Sequence, residues 1–530
     1  MPRWLPLCTA AAALLAFVAT LGGGFLGDDF AYIARFHALP FSNWPALFFK
    51  EWSGGLWGYP LVELRPVTAL SFIIDSRLFG GDATGYRLMN LVCHAATTAV
   101  VTMLAWKYGA GNIGCALVAG LVFAFHPSHA EAVAWITGRV DVLPTLGGLL
   151  FWLASGRWEA GGSRLALAAA MVALAAGLFA KEMCLFAPAL LLLLWVTAGL
   201  RADRALWRRR IVLLVCVAGL LAIYAVCRRL AFGGEMGGTG TPWENEDAWR
   251  RQLSYFLWIF PVLPIEGVLQ FEGLGRVPLI KTVLAVLGIA TVLGLGLATW
   301  KAKRTAATVI FFTAGWWLIT IGGLLFVPYF SPRHLYFPST GLAIGLALVL
   351  SQLGRRLRWP IAAMLLAWVA TAHYHAIQPW ILAGQTSRQL SAKIAATHGP
   401  DSLLLTSVPN AIGPAWMWAW ASPFAFGPPF QEVPPAPESV FVSKGNHFNP
   451  DRWTLSRGAL LAAISDKAHV SVIAVDPDGR IHHRSIERTA LAEELQSLAT
   501  TEAHVISDDE WNLWVHSLTR PPPVNRNSPL

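Results

Sequence analysis

The sequence predicts an all-α polytopic membrane protein with about eleven transmembrane helices and a small C-terminal α/β soluble domain. Of its 530 residues, 55% are hydrophobic and only 13% are charged, too few to cover a soluble protein of this length. Apolar runs bounded by charged or turn residues recur through the first three quarters of the chain. The net charge of +9 lies mainly in short loops between these runs, which argues against nucleic-acid binding.

Length and flanking charge predict the individual spans. They are 5–26, 86–106, 112–126, 140–155, 163–180, 183–199, 210–228, 278–300, 305–328, 336–353 and 359–376. A cytoplasmic N-terminus then places the basic connections 201–210, 301–304 and 355–358 in the cytoplasm, as in inner (plasma) membrane proteins. The first span lacks a clear cleavage site and is expected to remain. The apolar segment 255–269 contains two prolines and is predicted to be re-entrant or interfacial.

The composition changes near Gln378, which predicts two domains. The first is a transmembrane domain, 1–377, with outer loops 27–85 and 229–277. The second is an extracytoplasmic α/β domain, 378–520, followed by a disordered tail, 521–530. In the second domain, 470–475 and a segment around Ile481 read as strands joined by a turn, and 490–498 reads as a helix. The six cysteines form no CxxC, so no disulfide framework is predicted.

An acidic pair, Asp28 and Asp29, directly follows the first span on the predicted outer side. Adjacent carboxylates suit a catalytic base, in which one group removes a proton from a hydroxyl and the other orients it or raises its pKa. The alternative is a charged stop at the membrane boundary. Acidic residues carry little topological information, and this favours the functional interpretation.

A second polar group occupies residues 126–141 and is also predicted to face outward. Its candidate site residues are His126, His129, Glu131, Arg139 and Asp141. On a short helix, Glu131 can share a face with Trp135 but not with His129. Arg139 can present a guanidinium fork to a phosphate. A polar interfacial helix is the structural alternative.

The two histidines and the carboxylate of this group also form a weak metal pattern. We therefore predict no metal ligands and no cofactor, with a divalent metal as the open alternative.

Two further pairs complete the predicted outer side. Lys181 and Glu182 lie between two spans, either as a simple ion pair or as part of a site. Arg333 and His334 precede the tenth span, where a basic pair contradicts the usual orientation bias and indicates a bound anion. Charged groups gathered at one membrane face predict a single polar cavity.

The order of these motifs resembles a known family. The motifs are Asp28-Asp29, Arg65-Pro66, Gly85-Tyr-Arg-Leu-Met-Asn90, His126-Pro-Ser-His-Ala-Glu-Ala-Val-Ala-Trp-Ile-Thr-Gly-Arg-Val-Asp141, Lys181-Glu182 and Arg333-His-Leu-Tyr-Phe-Pro-Ser339. Together they resemble the membrane half of the transmembrane O-mannosyltransferases that target cadherins, within the GT-C class of glycosyltransferases. The resemblance covers roughly residues 20–345 by the count of spans. The relatives continue into tetratricopeptide repeats, whereas this chain has a different C-terminal segment.

The resemblance implies an inverting, mannosyltransferase-like enzyme in the lipid bilayer. The donor would be a polyprenyl-phosphate-linked sugar and the acceptor a hydroxyl of a protein, lipid or glycan. Asp28 or Asp29 would be the base, and Arg139, Lys181, Arg333 and His334 would bind the donor phosphate. The implied substrate-binding residues are Arg65, His126, His129, Glu131, Asp141 and Glu182.

Two other functions are compatible with a membrane protein of this kind. A transporter or flippase of a lipid-linked sugar should show internal repeats and polar residues at mid-membrane. The sequence shows neither pattern clearly. A non-catalytic assembly partner that retains the fold would tolerate loss of the acidic pair.

Overall fold

The computed structural model describes residues 1–57, 61–197, 203–233, 303–327, 331–397, 402–430, 440–442, 469–491, 494 and 508–519. The described residues are mainly helical. The helices are α1 Trp4–Phe17, α2 Asp29–Ala38, α3 Pro66–Phe79, α4 Ala83–Tyr108, α5 Ile113–Ala124, α6 His129–Ala134, α7 Arg139–Gly161, α8 Arg164–Leu178, α9 Phe186–Thr197, α10 Arg204–Ala231, α11 Lys303–Gly322, α12 Pro338–Ser351, α13 Arg355–Thr397 and α14 Asp508–Thr519. Short 3₁₀ turns connect several of them.

Ten of the eleven predicted spans coincide with helices, and the remaining one, 278–300, lies outside the described residues. The predicted re-entrant segment 255–269 and most of the predicted outer loop 229–277 lie outside them too. Among the described residues, four helices are long and apolar enough to cross a membrane by length and composition: Trp4–Gly22, Ala83–Tyr108, Arg204–Ala231 and Arg355–Thr397. The same part of the chain contains five more apolar helices of 10–17 residues. The protein is therefore a membrane protein, and the predicted count of eleven stays a prediction.

Local sequence explains where several helices begin. The side chain of Asp82 accepts a hydrogen bond from the Thr84 amide at the start of α4. Asp203 does the same for Leu206 at the start of α10. Such caps satisfy amides that have no partner within the helix. Pro66 and Pro338 occupy first turns, where a missing N–H costs nothing.

The domain boundary predicted at 377/378 falls inside a helix. α13 continues without a break for 43 residues, from Arg355 to Thr397. The change in composition near Gln378 marks the part of α13 that leaves the apolar region, because a long helix need not end where its surroundings change.

The C-terminal segment contains a small mixed sheet packed against a helix. Its strands are β1 Ser402–Ser407, β4 Val440–Val442, β5 His469–Val475 and β6 Ile481–Glu487, in the order β4-β1-β5-β6. β1 runs parallel to β4 and β5, and β6 pairs antiparallel with β5. A separate hairpin joins β2 Ala411–Ile412 to β3 Ala415–Trp416. The two strands predicted around 470–475 and 481 are confirmed. The helix predicted at 490–498 lies largely outside the described residues, and the soluble α/β domain stays a prediction.

Two hydrophobic clusters organise the molecule. The larger one lies among the apolar helices and contains Leu104, Phe123 and Trp316. The second joins the loop after α1 to the C-terminal segment, with Phe30 and Trp418 among its buried members. The candidate site lies where the second cluster meets the helix ends.

Candidate active site

The structure gives the two carboxylates of the acidic pair different environments. Asp29 is fully buried; its Oδ1 accepts hydrogen bonds from the Thr137 amide and hydroxyl at 2.8 and 2.7 Å, and its Oδ2 accepts one from the Leu26 amide at 2.9 Å. Burial raises the pKa of Asp29 to about 6 against the effect of these hydrogen bonds. Asp28 remains partly exposed at the start of α2. Asp29 therefore ties two loops together, and Asp28 is the member of the pair that solvent can reach.

Trp135 connects the acidic pair to the basic residues predicted to bind an anion. Its indole Nε1 donates a hydrogen bond to the Leu26 carbonyl at 2.9 Å, two residues before Asp28. The guanidinium of Arg333 stacks on the same indole, 4.8 Å from the ring centre. A single buried side chain therefore separates the chain leading to Asp28 from Arg333.

Arg333, Lys181 and Asp141 form the centre of a charged cluster. Asp141 accepts from Lys181 Nζ at 2.5 Å through Oδ1 and lies 3.5 Å from Arg333 Nε through Oδ2. Arg333 Nη1 also lies 3.6 Å from Glu131 Oε1. Glu131 Oε2 accepts from the Ser331 hydroxyl at 2.6 Å and the Arg333 amide at 3.3 Å. Glu131 and Trp135 both contact Arg333, although Trp135 follows the last residue of α6 and has an extended backbone.

Arg65 extends this cluster on the side of Glu182. Its Nη2 lies 2.9 Å from Glu63 Oε1 and 3.6 Å from Glu182 Oε1. Burial lowers the pKa of Lys181; Asp141 opposes this effect, whereas Arg65 and Arg333 add to it. Arg65 pairs with Glu182, the residue after Lys181, and Asp141 contacts both Lys181 and Arg333, so the three cations belong to one group. We call Arg65, Lys181 and Arg333, with the carboxylates of Glu63, Glu131, Asp141 and Glu182, the cation cluster.

Aromatic residues connect Arg65 back to the acidic pair. The guanidinium of Arg65 lies over the Trp52 ring at 5.3 Å, and Trp52 stacks on Tyr32 at 4.1 Å. Tyr32 lies one helical turn after Asp28. Burial, Glu63 and Asp28 together raise the pKa of the Tyr32 phenol well above its usual value. The cation cluster and Asp28 are thus joined along two routes, through Trp135 and through Trp52.

Arg139, which was predicted to bind the donor phosphate, already has a protein partner at each of its three guanidinium nitrogens. Nη1 pairs with Asp75 Oδ2 at 2.5 Å, Nε donates to Asn90 Oδ1 at 2.8 Å, and Nη2 donates to the Tyr86 carbonyl at 2.8 Å. The group also stacks on Phe72 at 4.6 Å. These contacts hold the guanidinium in place between helices, so a phosphate would have to compete with Asp75 for it.

His126 and His129, which were predicted to bind substrate, are both buried and contact protein groups. His129 Nε2 lies 2.8 Å from Ser339 Oγ, and its ring lies 4.4 Å from Tyr336. His126 packs on His129 at 5.2 Å and hydrogen-bonds Ser128 at 2.7 Å. Burial lowers the pKa of His126 to about 3 and that of His129 well below its usual value. Within the described ranges, no group of three or more His, Cys, Asp or Glu residues could hold a metal ion.

The remaining predicted residues, Lys181, Glu182 and His334, lie in or beside the cation cluster. Lys181 and Glu182 do not pair with each other; Lys181 pairs with Asp141 and Glu182 with Arg65. His334 is buried, and burial followed by the charges of Lys181, Arg333 and Arg65 lowers its pKa well below its usual value. A neutral imidazole offers a hydrogen bond to an anion but no charge.

The chain's curated relatives come from the class that its motifs predict, membrane sugar transferases. Protein O-mannosyl-transferase Tmtc2 of Drosophila melanogaster is 33% identical over 280 residues, which are 49% of this chain and 28% of that protein. Protein O-mannosyl-transferase tmtc2 of Xenopus laevis is 40% identical over 158 residues, 28% of this chain and 18% of that protein. The predicted resemblance is confirmed, and the chain spans less than a third of these relatives' length.

No protein-family model matches the chain. Among solved structures, the crystal structure of ArnT from Cupriavidus metallidurans bound to undecaprenyl phosphate overlaps it with a TM-score of 0.49 at 14% identity. The overlap covers 90% of this chain and 94% of that chain.

Several residues of the site were not predicted as functional. Thr137 holds Asp29, Ser331 holds Glu131, and Trp135 bridges the two halves of the site. Thr137 and Trp135 lie within the 126–141 motif, so their proximity to charged residues was a usable signal. Ser331 had no such signal, because its partner lies 200 residues away in the sequence.

Proposed function

We propose that this chain is a membrane glycosyltransferase that moves a sugar from a polyprenyl phosphate to a hydroxyl acceptor. The observation that carries the proposal is the position of Asp28 next to the cation cluster, across the single side chain of Trp135. The similarity to protein O-mannosyl-transferases supports a mannose-like hexose as the transferred sugar.

In this reaction the acceptor oxygen attacks the anomeric carbon of the donor sugar. The bond from that carbon to the phosphate oxygen breaks, and the polyprenyl phosphate leaves with the bonding electrons. The acceptor proton passes to the carboxylate of Asp28, which is the partly exposed member of the acidic pair. One displacement inverts the configuration of the anomeric carbon. Asp29 would position Asp28 through the bonds that fix the loop.

The cation cluster would bind the donor phosphate and stabilise the charge that grows on it as the bond breaks. Arg333, Lys181 and Arg65 are the candidates, and neutral His334 would add a hydrogen bond. The contacts of Arg333 with Asp141 and Glu131, at 3.5 and 3.6 Å, exceed the roughly 2.8 Å of a strong charge-assisted hydrogen bond. A phosphate oxygen could form the shorter contact with Arg333 while Lys181 and Ser331 retain the two carboxylates.

The formal charges of the cluster show why the leaving group would matter. Four carboxylates face three cations, and Arg228 adds a fourth positive charge that lowers the pKa of Glu182. A balanced cluster gives a resting lipid phosphate little net attraction. The cluster would attract an anion only when one of its cations turns from a carboxylate toward the phosphate. Such an arrangement would stabilise the transition state, in which the phosphate gains charge, more than the bound substrate.

The site would face the outer side of the membrane, with the N-terminus in the cytoplasm. Four helix ends meet at the site, and they lie on one side of the structure. They are the end of α5, the start of α7, the end of α8 and the start of α12. The basic connections at 201–210 and 355–358 are expected at the opposite helix ends, where the orientation bias places the cytoplasm.

The test is transfer by the purified full-length chain in lipid nanodiscs. Polyprenyl-phosphate mannose, glucose and aminoarabinose, each labelled in the sugar, would be supplied with a peptide rich in serine and threonine. We expect one donor to be consumed and polyprenyl phosphate to be released. Asp28→Asn should lower the rate by about a hundredfold or more while the thermal midpoint stays unchanged.

The matched control is Asp82→Asn, an exposed aspartate that caps α4 and lies away from the cation cluster. Asparagine also caps helices, so this variant should fold and work normally. No turnover of any donor by the wild type would contradict the proposed function. Full activity of Asp28→Asn would remove Asp28 as the base.

A further inference from the structure

The residues that lead to Asp28 are held by contacts from several parts of the protein. We call residues 23–28 the Asp28 turn. Three side chains donate to its carbonyls: Arg87 to Gly23 and Gly24, Ser387 to Phe25, and Trp135 to Leu26. Three of its amides donate to other groups: Gly24 to the Gly384 carbonyl, Leu26 to the Asp29 carboxylate, and Gly27 to the Met417 carbonyl. Met417, which accepts the hydrogen bond from Gly27, belongs to the C-terminal segment that contains the sheet.

At Gly27 the backbone of the Asp28 turn directly contacts the backbone of the C-terminal segment. Its φ is +49°, a left-handed conformation in which residues with a Cβ are strained. Its amide donates to the Met417 carbonyl at 2.5 Å. A Cβ at this position would lie 3.2 Å from the Cβ of Trp416. The backbone just before Asp28 thus needs glycine both for its conformation and for the contact with the C-terminal segment.

The hairpin β2–β3 fixes the carbonyl that Gly27 contacts. Met417 directly follows β3, and its own amide donates to the Asn410 carbonyl at 2.9 Å. Trp418 donates through Nε1 to the Ser387 hydroxyl at 2.8 Å, and that hydroxyl donates to the Phe25 carbonyl at 2.6 Å. The hairpin therefore reaches the Asp28 turn directly at Gly27 and through Ser387 at Phe25.

Aromatic packing supports the same interface on the other side of Asp28. The ring of Phe30, two residues after Asp28, lies 5.2 Å from Trp418 and 5.0 Å from Phe430. Phe25 also contacts Phe430, at 4.8 Å. These rings are edge-to-face or tilted contacts that favour one arrangement. Asp28 is thus bracketed by two phenylalanines that both pack on the C-terminal segment.

We propose that the segment 410–430 is a positioning element for Asp28, so that the C-terminal part of the chain takes part in catalysis without touching the substrate. The inference rests on the proposed function, in which Asp28 is the base. A base must lie within hydrogen-bond reach of the proton it removes, and an error of about 1 Å can cost a hundredfold in rate. The donor phosphate would contact only the cation cluster, which the segment does not form.

The test strains the hairpin at a distance from Asp28. Gly413 lies in the β2–β3 turn with a φ of +57°, and a Cβ there meets Pro379 only at ordinary contact distance. Gly413→Ala should move Met417 through backbone strain, whereas Gly413→Asn should be tolerated because asparagine adopts this conformation more readily. The control is Gly55→Ala, with a φ of +76° and no atom within 4 Å of the added Cβ.

Two quantities would be measured on the full-length protein in nanodiscs: kcat and KM for the donor that the wild type consumes, and deuterium exchange of the peptide containing Gly27. Gly413→Ala should lower kcat by about tenfold to a hundredfold with an unchanged donor KM. It should also speed exchange at Gly27. Gly413→Asn should restore both values, and Gly55→Ala should change neither.

The outcomes separate this inference from the proposed function. An active wild type with unchanged kcat in Gly413→Ala would overturn the positioning role alone. A fall in kcat that Gly413→Asn does not relieve, or one accompanied by a raised donor KM, would also overturn it. A wild type that consumes no donor would overturn the proposed function and with it the catalytic role of the segment, whatever the exchange data show.

Discussion

Arg139 is buried and Arg333 is largely buried near the same helix ends, yet their surroundings differ. Arg139 has three short contacts with Asp75, Asn90 and the Tyr86 carbonyl, at 2.5 to 2.8 Å. The ion pairs of Arg333 with Asp141 and Glu131 are 3.5 and 3.6 Å long, and its guanidinium stacks on Trp135. The first arrangement fixes helices to one another, and the second holds a guanidinium against an indole with two longer ion pairs.

We infer from this difference two kinds of charged residue: those whose short contacts hold the structure together, and those whose longer contacts leave them able to bind a ligand. Asp29 belongs with Arg139, because its oxygens accept three hydrogen bonds within the protein. Lys181 is intermediate, since it pairs with Asp141 at 2.5 Å and shares that carboxylate with Arg333. A buried charge with short contacts on every atom costs much to remove and offers little to a ligand. The four predictions below test this division.

Arg139→Ala should have the largest effect, and on stability. Removal leaves Asp75 buried without its cation, which costs about 3 to 5 kcal/mol. The measurement is the thermal midpoint and the yield of folded protein in detergent. The double variant Arg139→Ala with Asp75→Ala should recover part of the loss. A stable Arg139→Ala with weakened donor use would place Arg139 in the donor site after all.

Asp29 should make stability depend on pH. Its folded pKa of about 6 lies above its usual value of 3.8, so the folded protein holds the proton more tightly than the unfolded chain. This stabilisation is complete below about pH 4 and is lost as the pH rises through 6, a change on the order of 3 kcal/mol. The thermal midpoint of the wild type should fall over that range more than that of Asp29→Asn. Parallel curves would show that Asp29 does not titrate there.

Arg333→Ala should affect the donor more than the fold. Lys181 still pairs with Asp141, and Ser331 still binds Glu131, so the carboxylates keep partners. We expect donor KM to rise about tenfold or more, or kcat to fall by a similar factor. Lysine should rescue only in part, because a point charge does not replace a planar fork. Donor titration at fixed acceptor tests this; unchanged curves would make Arg333 a structural residue like Arg139.

Trp135→Phe should have the smallest effect. Phenylalanine keeps an aromatic ring beneath Arg333 but loses the hydrogen bond from Nε1 to the Leu26 carbonyl. The loss is about 1 kcal/mol, with a modest fall in kcat. Trp195→Phe, which loses a comparable bond to Glu159 far along the chain, is the control for stability. A larger catalytic loss in the control would contradict the bridging role of Trp135.

The sequence predicted the helices well because apolar length is a local property. Ten predicted spans became helices, and the strands at 469–475 and 481–487 followed from alternation and a turn. The end of α13 could not be predicted in this way. Beyond the apolar region, α13 packs on Gly23 and Gly24. Its sequence there is no longer a continuous apolar run, but its backbone remains helical.

The site was predicted in part for a similar reason. The motifs contain the charged residues of the cation cluster, and ion pairs link Arg65 to Glu182 and both Lys181 and Arg333 to Asp141. The single polar cavity stays a prediction. The sequence could not tell Arg139 from Arg333, because saturation depends on Asp75 and Asn90, which lie on other helices. It also could not tell Asp28 from Asp29, since adjacent residues differ only in the direction of their side chains.

The length of α13 has a mechanical consequence. Its 43 residues would span about 65 Å as a straight helix, roughly twice the hydrocarbon thickness of a bilayer. The half that follows Pro379 therefore continues the rotation of the apolar half. Each residue inserted into that half would turn everything beyond it by about 100° and lift it by about 1.5 Å. One added alanine near Lys393 should therefore swing the C-terminal sheet out of phase with the loop it faces. Seven added residues would nearly restore the phase and leave only a change in height.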